Sequence, residues 1–250
     1  MILKELAFDM PLVNEKGKIK KYAIEENINE EITRRDFYNQ VWKDKRIMFM
    51  NESEMVCEKI KKKMPRIITN KTWKLEIHCM TAEDYKPYCY NCEICEISVL
   101  FDFEKYNSSC DEDKVYLQLE ALENAILYAN KVGIKDYEPL LEICKDLKSR
   151  HFYNNTFVWK KKKISKEYDA YVVLEHTLKN MNIYIEIKNK KGVIVHKKLI
   201  AQDNPSPICY HTKLGCVEVL DNKEIVLYNK LKTKSYKMKI PTDIQQSSER

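Results

Sequence analysis

Two stretches of this chain interleave cations with aromatic rings. The first runs Arg34-Arg35-Asp36-Phe37-Tyr38 and continues through Trp42-Lys43-Asp44-Lys45-Arg46 to Phe49. The second runs Arg150-His151-Phe152-Tyr153, then Phe157-Val158-Trp159, and ends in Lys160-Lys161-Lys162-Lys163. Single-stranded nucleic acid needs this pairing: cations neutralise phosphates, and aromatic faces stack on bases for roughly 1–3 kcal/mol each. The candidate contacts are therefore Arg34, Arg35, Tyr38, Trp42, Lys43, Lys45 and Arg46 in the first stretch. In the second they are Arg150, Phe152, Tyr153, Trp159, Lys160, Lys161, Lys162 and Lys163. The plainer alternative is that the rings are core and the cations a hydrated face. The run Lys160 to Lys163, like Lys59-Ile60-Lys61-Lys62-Lys63, could also serve as a nuclear import signal.

Cysteines supply a second chemistry. Cys89 and Cys92 form a Cys-x-x-Cys half-site, with Cys95, His78, Cys79 and Cys110 nearby in sequence. Structural zinc takes four thiolate or imidazole ligands, and no second half-site follows. Alternation assigns Cys79 and Cys95 to apolar strand faces, where cysteine acts as a small hydrophobe. An iron–sulfur run would want a cysteine where Val99 stands. Apart from a possible structural zinc on Cys89 and Cys92, no cofactor is expected.

The enzyme candidate is Asp169 with Glu186-Ile187-Lys188. It resembles the Asp…Glu-x-Lys arrangement of restriction-type nucleases, over about 20 residues in all. The resemblance implies two carboxylates, Asp169 and Glu186, holding Mg²⁺ while Lys188 helps to activate water. Those nucleases usually place a helix after the lysine, whereas here a turn and another strand follow. Ile183, Ile185 and Ile187 point inward, so Tyr184, Glu186 and Lys188 share an outer face. Tyr184 and Lys188 would suit a stacking platform, and Glu186 between them opposes it by repelling phosphate. His176, His196 and His211 are spread among strands and loops, and none is placed beside a cysteine or serine in a way that points to nucleophilic catalysis.

Composition narrows the field. The 250 residues carry 44 Lys and Arg against 38 Asp and Glu, a net charge of +6 that mildly favours anionic partners. Only 4 glycines occur, so glycine-dependent phosphate cradles and nucleophile elbows lose ground. The 16 tyrosines, with many Lys, Asn and Ile, fit an AT-rich genome. Nine cysteines, an odd number without a secretory leader, argue against a disulfide framework and for an intracellular protein, cytoplasmic or nuclear. No apolar run is long enough to cross a bilayer, so no membrane partner is expected.

The elements that must carry these residues read as α+β: a mixed N-terminal half with antiparallel strands, a central helical hairpin and a β-rich antiparallel C-terminal half. A turn is expected at Asn14-Glu15-Lys16-Gly17, a helix from Asn29 to Lys43 with Tyr38 and Trp42 on one face, and a short helix from Ser53 to Lys63. Strict alternation marks half-buried antiparallel strands at Trp73–Cys79 and Cys95–Phe103. Ser109-Cys110-Asp111-Glu112 reads as a capping box before the stripe Val115, Leu119, Leu122, Ile126, which ends near Gly133. A second helix starts at Pro139 with Leu140, Cys144 and Leu147. Strands follow at Ala170–Glu175, Ile183–Lys188 and Val193–Ile200, with Asn189-Lys190-Lys191-Gly192 as a hairpin turn. More lie near Cys216–Leu220, Glu224–Asn229 and Tyr236–Ile240. The regions are 1–150, ending in the helical hairpin, 151–243, antiparallel and β-rich, and a disordered tail at 244–250.

Together these features point first to non-enzymatic binding of single-stranded DNA or RNA, in DNA replication or nucleic-acid protection. A protein–protein module, such as an immunity or antitoxin-type inhibitor, comes second, with a protein partner or self-association. A Mg²⁺-dependent nuclease comes third.

Overall fold

A computed structural model of the chain describes every residue except 14, 29–32, 151, 153–154, 222 and 247–250, with backbone alone at 15 and 246. The class is α+β, and the chain divides into two compact units, Met1–Tyr153 and Asn154–Arg250.

In the first unit, β1 (Glu5–Asp9), β2 (Lys74–Met80), β3 (Cys89–Asn91) and β4 (Ile94–Leu100) form a sheet in the order β1-β2-β4-β3. Alternation selects its inner face: Leu6 and Phe8, then Leu75, Ile77 and Cys79, then Cys95, Ile97 and Val99 are all buried. α1 (Glu15–Glu25), α2 (Arg34–Phe37) and α3 (Lys43–Lys63) lie between β1 and β2 in sequence. Tyr38–Trp42 is a π-helical turn joining α2 to α3, with the Lys43 N–H donating to the Tyr38 carbonyl. After β4 come α4 (Phe103–Ser108) and the hairpin of α5 (Asp111–Lys131) and α6 (Pro139–Ser149). Met55, Val56 and Ile60 of α3 and Leu119, Leu122 and Ile126 of α5 supply the other half of the core. Gly133, at φ +91°, takes the left-handed position just beyond α5.

In the second unit, β5 (Asn155–Lys163), β6 (Tyr168–His176), β7 (Met181–Asn189) and β8 (Ile194–Asp203) form an antiparallel meander. β9 (Val217–Leu220), β10 (Glu224–Tyr228) and β11 (Ser235–Lys239) form a second sheet, and α7 (Pro207–Tyr210) and α8 (Thr242–Gln246) complete the unit. Val172, Leu174, Ile183, Ile185 and Ile187 share a core with Val217, Ile225, Leu227 and Met238. The β7–β8 turn forms at Asn189–Gly192: Gly192 sits at φ +80° and its N–H donates to the Asn189 carbonyl.

Several details differ from the sequence reading. The strands beginning near Trp73 and Cys95 pair parallel to each other, and β4 has its antiparallel partner in β3. Alternation reports one buried face and carries no information on strand direction. β4 stops at Leu100, because Asp102 caps α4 by accepting from the Lys105 N–H at 2.9 Å. Gly17 lies inside α1, where surrounding helix formers outweigh its cost of about 1 kcal/mol. Asn14 and residues 29–32 lie outside the described residues. The expected Ser53–Lys63 helix is the end of one helix that starts at Lys43, since Phe49, Met55, Val56 and Ile60 continue a single buried stripe. Cys110, not Ser109, stands at the N-cap position of α5 and makes no side-chain capping bond; Ser109 donates to the Lys105 carbonyl at 2.7 Å and so closes α4. The expected disordered tail begins too early: Ile244 is buried in α8 because its side chain joins the core. Among the described residues, no helix is long and apolar enough to cross a membrane.

Candidate nucleic-acid interface

The outer face of the β5–β8 sheet is ordered in rows by strand register. Lys163, Asp169, Lys188 and Ile194 form one row; Lys161, Tyr171, Glu186 and Lys197 form the next. Val158, Val173, Tyr184 and Leu199 form the third, and Thr156, Glu175, Asn182 and Gln202 the fourth. A bulge at Trp159 sets this pattern on the edge strand, shifting the register between Val158 and Lys160. Beyond the bulge, Lys161 and Lys163 face outward together, whereas unbroken alternation from Val158 would turn Lys160 and Lys162 that way.

Two tyrosines lie among these lysines. The Lys161 and Lys188 ammoniums sit 5.4 and 5.0 Å from the centre of the Tyr171 ring, and that of Lys197 sits 4.2 Å from the Tyr184 ring. The Tyr184 hydroxyl donates to Glu175 at 3.1 Å, and Asn182 donates to the same carboxylate oxygen at 3.2 Å. Burial and that carboxylate both raise the Tyr184 pKa, so the phenol stays neutral. Its ring is thus held in place without acquiring charge.

Three carboxylates share this face: Glu175 is held by Tyr184 and Asn182, while Asp169 and Glu186 are sunk beneath lysines. Asp169 and Glu186 are only 6% and 4% exposed. Asp169 pairs with Lys161 at 2.9 Å and Lys190 at 3.3 Å. Glu186 pairs with Lys188 at 3.0 Å and Lys197 at 3.1 Å. Burial pushes the Asp169 carboxyl up, and the two lysines more than offset this, holding it below its ordinary range. Each carboxylate with its two lysines carries a net positive charge. The side chains of Lys161, Lys190 and Lys197 are 54%, 48% and 42% exposed, so the cations, not the anions, meet solvent. Val158, Ile194 and Leu199 add exposed apolar surface.

The residues picked out in sequence are distributed differently. Lys161 and Lys163 belong to this face. Lys160 lies 5.4 Å from the centre of the Trp159 ring, which is half-buried against the core; Lys162 is exposed. Arg150 and Phe152 fall in the other unit, so the second stretch divides at the boundary. Arg150 pairs with Asp146 at 2.6 Å. Phe152 is a correction to the stacking assignment: its ring is buried, with the Lys59 ammonium 5.1 Å from its centre. Tyr153 and His151 lie outside the described residues.

In the first stretch, Arg34, Arg35, Tyr38 and Arg46 line one open cleft of about 650 Å³ with Pro11, Leu12 and Thr33. Arg46 is held by Asp9 through two hydrogen bonds, of 2.6 and 2.8 Å, which raise its pKa further. The Trp42 indole donates to the Met10 carbonyl at 3.1 Å and has Lys18 4.4 Å from a ring centre. Lys43 and Lys45 are exposed.

The remaining candidates are also placed. Asp169 and Glu186 occupy neighbouring rows, and each is taken up by its own lysine pair. The Cys89 thiol lies 3.9 Å from that of Cys95, while Cys92 is exposed. Among the described residues, the metal-ligating groups that converge are Asp9, Glu76 and His78, with ligand atoms all within 4.8 Å of one another. Sequence reasoning placed His78 beside the cysteines and missed its grouping with Asp9 and Glu76, and missed Tyr171 and Lys197, because each assembles only through strand pairing. No protein-family model, curated protein or solved structure matches this chain.

Proposed function

We propose that this protein binds single-stranded DNA or RNA, without catalysis, on the outer face of the β5–β8 sheet. Tyr171 and Tyr184 stack on bases, while Lys161, Lys163, Lys188 and Lys197 contact phosphates. The observation that carries this reading is the pairing of each outer-face tyrosine with lysine ammoniums, over carboxylates buried beneath them. Stacking and phosphate neutralisation are indifferent to base identity, so little sequence preference is expected.

The test is fluorescence anisotropy with a labelled single strand and its duplex at low and moderate salt. Preference for the single strand, steep weakening with salt and loss of binding in Tyr171→Ala are the expected results. A flat trace at low salt would remove the proposal. The exposed Val158, Ile194 and Leu199 favour a second reading, a protein-docking face. A stoichiometric protein partner, retained at salt concentrations that abolish strand binding, would move the assignment there.

A further inference from the structure

We propose that Asp9, Glu76 and His78 bind one divalent transition-metal ion, of the class Mn²⁺ to Zn²⁺, on the outer face of the first unit's sheet. The site comes directly from strand pairing. β1 and β2 run parallel with Asp9 opposite His78, and Glu76 precedes His78 by two residues on the same face. All three therefore project to the side of the sheet away from the Leu75–Ile77–Cys79 row.

The support around the three ligands distinguishes them from ordinary surface charges. Asp9 is 4% exposed and His78 is 9% exposed. His78 Nδ1 is hydrogen-bonded to the Tyr88 hydroxyl, whose pKa burial pushes up to about 12. In the tautomer in which Nδ1–H donates to Tyr88, Nε2 presents its lone pair toward Glu76, 4.0 Å away. Tyr88 is fixed in turn: its ring stacks on Tyr90 at 4.9 Å, and its N–H donates to the buried Ser98 hydroxyl at 2.8 Å. Ser98 stands beside His78 in the β2–β4 register. In that tautomer the imidazole is set as a metal ligand requires, with Nε2 open and Nδ1 anchored.

Asp9 is oriented just as firmly. Arg46 donates to both carboxylate oxygens, and the Met10 N–H donates to Oδ1 at 2.8 Å. Two carboxylate oxygens have about four acceptor positions between them, so this leaves one on Oδ2 for a metal. Glu76 pairs with Lys74 at 3.2 Å, and the lysine side chain is exposed enough to swing to solvent. Ligand atoms bound to one ion at about 2.1 Å stand roughly 3.0–3.4 Å apart, so a metal would draw these atoms in from their present separations within 4.8 Å. The imidazole selects a first-row transition ion over Mg²⁺ or Ca²⁺, which favour oxygen-only sites.

Mn²⁺ is the suitable probe, because it prefers oxygen and nitrogen ligands over the chain's thiols. Titration of the full chain followed by electron paramagnetic resonance should show one bound Mn²⁺ per chain. His78→Ala and Glu76→Gln should each weaken binding at least tenfold, and Cys92→Ser should leave it unchanged. Glu76→Gln preserves shape on a half-buried side chain, so it remains informative should His78→Ala fail to fold. Absence of binding by the parent chain up to millimolar Mn²⁺ would overturn the assignment. So would unchanged affinity in Glu76→Gln with native circular dichroism.

Discussion

Each unit of this protein contains a four-stranded sheet with one apolar face in a core, and the two outer faces carry opposite chemistry. On the β5–β8 sheet, lysines from three strands and a turn surround two tyrosines, and Asp169 and Glu186 lie beneath them. On the β1–β4 sheet, Glu5, Asp9, Glu76 and Glu96 share the face with Lys74, and Arg46 reaches in from α3. One face gathers cations around rings; the other gathers carboxylates around an imidazole. Alternation dictates that an outer face exists and says nothing of its sign. Which strands become neighbours decides whether scattered charges sum to an anion-binding or a cation-binding surface.

The sharpest way to break this comparison is to remove the rings and keep the charge. Tyr171→Ala combined with Tyr184→Ala should lower single-strand affinity by roughly 2–6 kcal/mol, from about 1–3 kcal/mol per stacked base. The slope of log affinity against log salt should stay as in the parent, since no phosphate contact is lost. Tyr184→Phe retains the ring and should bind nearly as the parent does. Anisotropy across a salt series checks all three, and an unchanged affinity in the double variant would show that the tyrosines are not the platform.

Arg46 tests the other face. Its guanidinium is tied to a buried carboxylate, so Arg46→Ala leaves Asp9 buried without its cation and with the Met10 N–H still donating to it. The cost should be about 2 kcal/mol, less than for a fully buried pair because the arginine side chain is 34% exposed. Denaturant unfolding should report that loss, with strand affinity nearly unchanged. A large loss of affinity at unchanged stability would instead return Arg46 to the nucleic-acid contacts expected from sequence.

The legibility of these features followed the range of the interactions that make them. β2, β4, β6 and β7 were readable because one buried face imposes a period of two on Leu75–Ile77–Cys79 or Ile183–Ile185–Ile187. The hairpin of α5 and α6 was readable from its stripes and from Pro139. β5 hid behind four consecutive lysines, where no apolar alternation survives and a bulge breaks parity. The parallel pairing of β2 with β4 leaves no mark on either strand alone. Asp9 and His78 are 69 positions apart, and Tyr171 gains its lysines only through register with β5 and β7. Basic–aromatic interleaving along the chain picked out Lys161 and Lys163, which share the sheet's outer face, together with Phe152, whose ring is buried, because sequence proximity does not distinguish a ring on a face from one in a core.

Individual lysines should give a smaller and more graded effect. Lys161→Ala and Lys197→Ala should each reduce the salt slope by about 0.7 if each side chain neutralises one phosphate of a single strand. The same replacement at Lys74, on the first unit's face, should leave the slope where it was. Equal slopes for all three variants would erase the contrast between the faces.

The smallest expected effect is also the most specific, because it reverses sign between two readouts. Lys161 and Lys190 hold the folded-state pKa of Asp169 below its ordinary value of 3.8. A depressed carboxyl contributes stability above the unfolded-state pKa and loses it as pH falls through the folded-state value. Asp169→Asn should therefore be less stable than the parent at neutral pH, and the gap should narrow as pH drops below the ordinary carboxylate range. Strand affinity should move the other way. With no carboxylate to hold them, Lys161 and Lys190 are released toward phosphate, so Asp169→Asn should bind a few-fold tighter at neutral pH. Protonating the parent's Asp169 in acid should bring the two affinities together in the same pH window. Unfolding midpoints and anisotropy over one acid series measure both, and weaker binding by Asp169→Asn at neutral pH would mean that the buried carboxylate orients these lysines for phosphate and does not merely compete for them.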